Sequence, residues 1–261
     1  MPKPPEPRKP RINWRMVLRV SVWSAIFGSV AYAGMQVRSF MLSDARFNLE
    51  CGTGCKGIEV QGAVYSSPAR IHAVFAQDAG KSVFDIPLDE RRRHLLAIDW
   101  VRDATVARIW PDKIRITIQE RTPVAFASLP IARSARHWLA LIDDQGVLLS
   151  IPPRKRFVLP VLSGITEDQP EAARQKRVDA MEHLLADLGP QAKEISEINA
   201  AALEDLRVIT TADGHAVELW LGDQHYRSRY LNFINHYRQI REDSAQASIF
   251  DLRLDDRILV R

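Results

Sequence analysis

An uncharged apolar stretch close to the N-terminus restricts how this chain can fold. Residues 20–37 carry no formal charge, and with residues 16–19 they make about 20 residues, enough for a helix to cross a bilayer. The first 19 residues hold six Lys or Arg and one Glu, and such basic flanks stay on the cytoplasmic side. We therefore predict a disordered basic cytoplasmic tail over residues 1–15, a transmembrane helix over residues 16–38, and the remaining chain outside the cytoplasm.

Two other interpretations of the apolar stretch compete with a membrane span. A cleaved signal peptide is one, because Ala31-Tyr32-Ala33 resembles a cleavage site, although the apolar run is longer than the usual ~7–15 residues. A buried helix of a globular core is the other, and the basic leader and the uniform apolarity of the run argue against it. We adopt a single uncleaved span.

The basic character of the chain is confined to its N-terminus. The formal net charge is +4, yet residues 1–19 contribute +5 and the other 242 residues contribute −1. A nearly neutral body lacks the electrostatic footprint of a nucleic-acid-binding protein. With 46% hydrophobic and 26% charged residues the composition is that of a globular protein, which excludes wholesale disorder and a polytopic membrane protein.

Residues 39–57 form a predicted juxtamembrane segment that contains both cysteines of the chain. Cys51 and Cys55 lie in the sequence Cys-Gly-Thr-Gly-Cys. An oxidising compartment permits a local disulfide between them, and the two glycines make ring closure sterically easy. Half of a metal site and two free thiols are the alternatives, although no second Cys pair exists to complete a zinc site.

The next part of the chain has the pattern of a small β-α-α-β-β unit. Apolar alternation predicts strands, and a Ser-Pro start with a closing Gly predicts the first helix. The predicted elements are a strand at 58–61, helices at 67–80 and 88–98, and strands at 101–109 and 114–119. Arg91, Arg92 and Arg93 are predicted to form a solvated helix face, and Trp100 and Trp110 to lie in the core or at an interface.

From Val124 onward the pattern is that of an α+β region with much sheet. Strands at 138–142 and 147–149 are predicted to form a hairpin. Amphipathic helices are predicted at 170–188 and 224–241, and strands at 195–199, 206–211, 216–221, 249–254 and 257–260. The fold class that follows is α+β, with an N-terminal transmembrane helix, a β-α-α-β-β domain and then a β-rich α+β domain.

No constellation for catalysis or cofactor binding is found along the sequence. It lacks a phosphate-binding loop, a dinucleotide fingerprint, a nucleophile elbow and a zincin motif. Two pairs of carboxylates, Asp143-Asp144 and Asp255-Asp256, lie beside predicted strand ends, where turn formation explains them. We therefore expect no enzymatic activity, no cofactor, no metal and no small-molecule substrate.

Four motifs in residues 58–125 carry a resemblance to a known family. They are Ile58-x-Val60-x-Gly62, Gly80-x-Ser82-Val83-Phe84-x-Ile86, the run from Trp100 to Pro111, and the run from Ile114 to Ala125. Together they resemble the polypeptide-transport-associated (POTRA) domain of the FtsQ/DivIB bacterial cell-division proteins. The resemblance implies a POTRA domain at 58–123 and an FtsQ-type β domain at 124–261. The family's first strand is usually continuous, whereas here Phe47–Leu49 is separated from Ile58 by the Cys-containing insert.

The resemblance also implies a function. A member of this family is a divisome scaffold that recruits and links division proteins and helps regulate septal peptidoglycan synthesis. Its partners would be FtsB-like and FtsL-like bitopic proteins and the septal synthase pair FtsW/FtsI. It would be a single-pass, type II inner-membrane protein, with its bulk in the periplasm, at the division septum. The alternative is a POTRA-bearing component of envelope protein secretion or assembly, although such proteins usually carry several copies of the domain or a β-barrel.

The candidate partner-binding residues lie in the last predicted strand. The resemblance places the family's partner-binding strand at about residues 254–261, and the residues concerned are Leu254, Asp256, Arg257, Ile258, Leu259, Val260 and Arg261. A strand at a sheet edge has N–H and C=O groups that can pair with a partner strand. The alternative from composition alone is an edge strand without a partner, which the charged side chains of Arg257 and Arg261 protect from pairing.

Overall fold

The computed structural model of the chain describes residues 14–50, 56–131, 134, 136–153, 155–244, 246–254 and 257–261. Its first element is a 30-residue helix, α1 (Trp14–Ser43), which extends beyond the predicted span at both ends. The hydroxyl groups of Ser21 and Ser29 donate to C=O groups four residues earlier, so these polar side chains are satisfied within the helix. Within α1, Val17–Ser43 is the one described stretch long and apolar enough to cross a membrane.

A three-stranded sheet follows α1 and has the predicted β-α-α-β-β order. Its elements are β1 (Ile58–Gln61), α2 (Pro68–Ala73), α3 (Leu88–Leu96), β2 (Val101–Ile109) and β3 (Lys113–Glu120). The strands lie in the order β1-β3-β2, and β1 pairs with β3 in parallel. The first helix is shorter than predicted, and a 3₁₀ turn at Ala76–Asp78 follows it.

Contacts divide the chain into two units. The first contains the residues up to Gln61 together with Ile71–Arg93 and Thr105–Thr117. The second contains Gly62–Arg70, His94–Ala104 and Ile118–Arg261.

In the first unit, the predicted juxtamembrane segment 39–57 is partly packed against the sheet domain. Leu49 is buried, and its N–H donates to the C=O of Lys81 at 2.9 Å. These residues are therefore part of the fold even though an insert separates them from β1. Cys51 and Cys55 lie outside the described residues, and the disulfide between them stays a prediction.

The structure corrects the prediction that Arg91, Arg92 and Arg93 form a solvated face. Arg91 is buried, and its guanidinium donates to both carboxylate oxygens of the fully buried Asp78 at 2.5 and 3.0 Å. Arg92 and Arg93 are exposed. The helical repeat turns one of three consecutive residues inward, and the bidentate pairing with Asp78 compensates the buried charge.

The two predicted core or interface tryptophans differ in burial. In the second unit Trp100 is buried, stacks on Tyr65 with 4.8 Å between ring centroids, and donates from Nε1 to the C=O of Ser150 at 2.9 Å. In the first unit Trp110 is 60% exposed, although its ring makes an edge contact with Phe84. The prediction of a core position holds for Trp100 alone.

A nine-stranded sheet dominates the second unit. Its strands are β4 (Pro123–Pro130), β5 (His137–Asp143), β6 (Leu148–Leu149), β7 (Val161–Ser163), β8 (Ile195–Asn199), β9 (Leu206–Ala212), β10 (His215–Gly222), β11 (Ile249–Asp251) and β12 (Leu259–Val260). They lie in the order β12-β11-β10-β9-β8-β7-β4-β5-β6. Most predicted strands are confirmed, whereas β4 and β7 were not predicted and β11 and β12 are shorter than predicted.

Two long helices supply the main core of the second unit. They are α4 (Glu171–Leu188) and α5 (Tyr226–Asp243), close to their predicted ranges. The buried residues Met181 and Leu184 of α4 and Phe233 of α5 belong to one apolar cluster with strand residues. Phe250 of β11 joins this cluster, with its ring centroid 4.9 Å from that of Phe233. This packing fixes the position of β11, and β12 lies beside it.

Candidate partner-binding site at the C-terminal strand

The last strand, β12, lies at one edge of the nine-stranded sheet as the described residues define it. It pairs antiparallel with β11, with Val260 opposite Phe250 and Leu259 opposite Asp251. The side chains of Leu259 and Val260 are 42% and 44% exposed. An exposed apolar pair at a sheet edge is the surface on which an added strand can form.

Backbone hydrogen bonds determine which groups of β12 face outward. The N–H of Arg261 donates to the C=O of Ile249 at 3.1 Å, so Arg261 directs its backbone groups toward β11. Because these groups alternate between the two sides of a strand, Leu259 also faces β11. The N–H and C=O groups of Ile258 and Val260 therefore point away from the sheet, where a partner strand can pair with them.

A small cavity lies beside this edge on the side of α5. It has a volume of about 130 Å³ and is lined by Ser228, Arg229, Asn232, Leu252, Leu254, Arg257 and Ile258. Val260 lies opposite Phe250, whose ring packs on α5, so the side chains of Ile258 and Val260 share the α5 side of the sheet. A partner strand would thus place alternate side chains toward this cavity.

On the other face of the same edge, three arginines surround one tryptophan. The guanidinium carbons of Arg207, Arg261 and Arg253 lie 3.9, 4.2 and 5.1 Å from the ring centroid of Trp220. The register places Trp220 beside Asp251, and Asp251 opposite Leu259. This face of the edge is therefore aromatic and cationic, whereas the cavity on the α5 side is lined by both apolar and polar residues.

A buried carboxylate organises the arginines. Asp251 accepts hydrogen bonds from Nε and Nη2 of Arg253 at 2.9 and 2.7 Å, and from Arg261 at 3.1 Å. The hydrogen bonds from Arg253 lower the pKa of Asp251 from 3.8 to about 2, against the opposing effect of its burial. Asp251 thereby ties Arg261, the residue after β12, to the neighbouring strand β11.

The groups that this site presents are backbone, aromatic and guanidinium groups. In the part of the chain that the structure describes, no group of three or more His, Cys, Asp or Glu is placed to hold a metal ion. The site offers outward backbone groups and a cavity of mixed polarity, which are the kinds of contact used when a strand is added to a sheet, and it also offers guanidinium groups.

Comparisons with known proteins agree on one family. Residues 54–121 match the family model of the POTRA domain, FtsQ-type. The chain is 31% identical over 266 aligned positions to the cell division protein FtsQ of Koribacter versatilis, and the alignment covers 98% of this chain and 74% of that protein. This chain belongs to the FtsQ family. FtsQ of Geobacter sp. is 24% identical, with 99% and 93% covered, and FtsQ of Shewanella oneidensis is 23% identical, with 97% and 88% covered.

Membership of the FtsQ family assigns the chain a role in cell division. The family is one of non-catalytic proteins that take part in the division complex. The fold class is confirmed: an N-terminal apolar helix, a POTRA domain and a β-rich α+β region. The apolar helix is compatible with a single-pass, membrane-anchored FtsQ protein.

The structure brings most of the predicted partner-binding residues of this FtsQ protein to one edge. Leu259 and Val260 form β12, while Leu254, Arg257 and Ile258 line the cavity before it. Arg261 pairs with Asp251 of β11 and lies over Trp220. Asp256 lies outside the described residues. Whether these residues bind a partner stays a prediction.

The second face of the β12 edge in this FtsQ family member, the face with Trp220 and its arginines, was not predicted from the sequence. Trp220 and Arg207 were not singled out, although they shape one face of the edge. A signal for Trp220 was present, because it alternates with the buried Leu219 and Leu221 and must point to the opposite face. No comparable signal marks Arg207, since its approach to Trp220 depends on the pairing of β9 with β10.

Proposed function

We propose that this FtsQ family member is a non-enzymatic scaffold of the division complex. It recruits and links division proteins, helps regulate septal peptidoglycan synthesis, and binds partners in part through the β12 edge. The observation that supports this role is the outward direction of the N–H and C=O groups of Ile258 and Val260, beside exposed apolar side chains.

The partner that suits this edge is an extended segment of a small bitopic protein, FtsB-like or FtsL-like. Backbone pairing with Ile258 and Val260 supplies affinity. Selectivity comes from side chains that alternate between the cavity beside α5 and the face of Trp220 and its arginines. Contacts with the septal synthase FtsW/FtsI belong to the same role.

The proposed arrangement in the envelope follows from the charge distribution. Residues 1–15 lie in the cytoplasm, residues 16–38 cross the inner membrane, and residues 39–57 lead into the periplasm. The POTRA domain at 58–123 and the FtsQ-type β domain at 124–261 then stand in the periplasm at the division septum. The basic leader supports this orientation, because positive flanks are retained in the cytoplasm.

Photo-crosslinking in dividing cells tests the proposed edge. A photo-reactive residue at position 258 or 260 of the full-length chain is expected to capture a small bitopic division protein. The matched control is the same residue at Leu203, which is also partly exposed but lies between β8 and β9. If no bitopic protein is captured from 258 or 260, or if Leu203 captures it equally well, the edge is not the binding site.

Localisation separates the division role from a role in envelope protein secretion or assembly. A fluorescent fusion of the full-length chain is expected to form a midcell ring at constriction. Uniform envelope fluorescence throughout the cell cycle would instead favour secretion or assembly.

A further inference from the structure

The end of the nine-stranded sheet opposite β12 has a second open stretch of strand. β5 pairs with β4 along its whole length, from His137 to Asp143. On its other side β5 pairs with β6 only at Leu141 and Ile142. Among the residues that the structure describes, no strand lies beside residues 137–140 on the β6 side. This half of β5 is therefore a sheet edge.

The directions of the backbone groups along this edge follow from the turn beside it. The N–H of Asp143 donates to the C=O of Val147, and the C=O of Asp143 accepts from Gly146, both at 3.1 Å and both on the β6 side. Because the groups alternate along a strand, those of Leu139 and His137 point to the same side, away from β4. Each of these two residues thus presents an outward N–H and C=O.

The side chains along this edge are apolar on both faces. Trp138 is 41% exposed and Leu139 is 49% exposed, and as neighbours in a strand they point to opposite faces of the sheet. Sheet edges that must not pair are usually protected by Lys, Pro or a bulge. Residues 137–140 contain neither Lys nor Pro, and their register with β4 is regular. The edge is open to pairing.

The charge around this edge has one sign. Of the described residues between 131 and 159, Arg136, Lys155 and Arg156 are basic and exposed, against two acids, Asp143 and Asp144. Both acids already have arginine partners, Arg121 at 2.7 Å from Asp143 and Arg102 at 3.1 Å from Asp144. Phe157, next to Arg156, packs on a cluster that includes Leu141 of β5. Arg136 directly precedes β5, and Lys155 and Arg156 directly precede Phe157, so these three described basic residues belong to the surroundings of β5.

We propose that residues 137–140 of β5 bind an extended segment of another protein, one that alternates apolar side chains and carries acidic residues at its ends. Its backbone pairs with His137 and Leu139, and its carboxylates meet the basic surroundings. A second copy of this chain is disfavoured, because it would bring two basic edges together. The surface is separate from the β12 edge, so the chain can hold two partner strands at opposite ends of one sheet.

A defined peptide tests this proposal with the full-length chain in phospholipid nanodiscs. The probe is an end-capped peptide, Glu-Val-Thr-Val-Thr-Val-Glu, and the readouts are amide hydrogen exchange and fluorescence anisotropy. We expect slower exchange at residues 137–140, and about threefold or more weaker binding when both Glu are replaced by Lys. No change at 137–140, protection confined to 259–260, or self-association of the chain without peptide would each overturn the proposal.

Two variants locate the binding site on β5. Leu139→Pro removes an outward N–H that β4 does not use, and is expected to abolish protection at 137–140. Arg136→Glu leaves the strand backbone intact and is expected to weaken the acidic peptide about two- to fivefold while strengthening its Lys counterpart. The matched control, Val260→Pro at the other edge, is expected to leave peptide binding at β5 unchanged. Equal binding by Arg136→Glu and the parent chain would contradict the assignment.

Discussion

At one end of the nine-stranded sheet β12 pairs with β11 over two residues, whereas at the other end β5 pairs with β4 over seven. The short strand is held by side chains outside itself, namely the Asp251–Arg261 ion pair and the ring of Phe250 beneath it. The long strand is held by its own ladder and is open only where β6 stops. Two sheet edges whose side chains are similarly exposed can therefore be held by different interactions, side-chain contacts for β12 and backbone pairing for β5.

The largest expected effect is removal of the aromatic anchor beneath β12. Phe250→Ala is expected to lower the free energy of unfolding by about 3–5 kcal/mol, because Phe250 is buried against Phe233 and Tyr237. Native-state hydrogen exchange at residues 259–260 should accelerate more than at 137–143.

The matched control for this change lies at the other edge. Leu129 is buried opposite Trp138, and Leu129→Ala is expected to cost about 2–5 kcal/mol while loosening β5 more than β12. If both variants accelerate exchange equally at both edges, the two ends of the sheet open as one cooperative unit. The β12 and β5 edges would then not differ in what holds them in place.

Much of this fold could be predicted from periodicity alone. The strands β8, β9 and β10 and the helices α4 and α5 were predicted within a few residues, because their apolar repeats are long and regular. β4 was missed since Pro123 and Pro130 at its ends resemble loop boundaries and its buried face is made of small residues such as Ala125 and Ala127. It is a strand because β5 and β7 pair with it on both sides.

The edge itself was predictable in position but not in detail. The last strand was predicted at 257–260, yet β12 contains only Leu259 and Val260, with one further backbone hydrogen bond from Arg261 to Ile249. Leu252, which would lie opposite Ile258 if the ladder continued, is buried and donates its N–H to the C=O of Trp220 at 2.9 Å, on the β10 side. Such a contact is made by tertiary packing and has no periodic signature in the sequence.

A pair of proline substitutions sharpens the difference between the two sides of β12. Leu259→Pro removes the N–H directed at β11, and is expected to destabilise the strand by about 2–3 kcal/mol. Val260→Pro removes an outward N–H, and is expected to leave the unfolding midpoint nearly unchanged while abolishing crosslinking from position 258. Differential scanning calorimetry and crosslinking measure the two effects.

The outcome that contradicts this assignment is specific. Equal crosslinking by the parent and Val260→Pro, in a chain whose unfolding midpoint is unchanged, would mean that the outward groups of β12 do not pair with the partner.

The next largest effect is the pH dependence of the Asp251 ion pairs, which stabilise the β12 edge and not the β5 edge. The pKa of Asp251 is lowered to about 2, so its stabilisation is fully present above about pH 4 and is lost as the pH falls through 2. The free energy of unfolding of the parent is expected to exceed that of Asp251→Asn by on the order of 2 kcal/mol at pH 6. Urea titrations between pH 2 and 6 should show this difference vanishing toward pH 2. A difference that stays constant over this range would show that the carboxylate charge does not hold the strand.

The smallest expected effect concerns the arginine that follows β12. Arg261→Ala removes one hydrogen bond to Asp251 and one guanidinium over Trp220, but Arg253 and Arg207 keep their contacts. Because the side chain of Arg261 is 47% exposed, we expect a loss of about 0.5–1 kcal/mol that shrinks at high salt. Arg136→Ala at the opposite edge is the control and should leave exchange at 259–260 unchanged. A loss above about 3 kcal/mol for Arg261→Ala would mean that β12 depends on this one side chain. The β12 edge would then form only when that side chain, or a partner strand in its place, holds it.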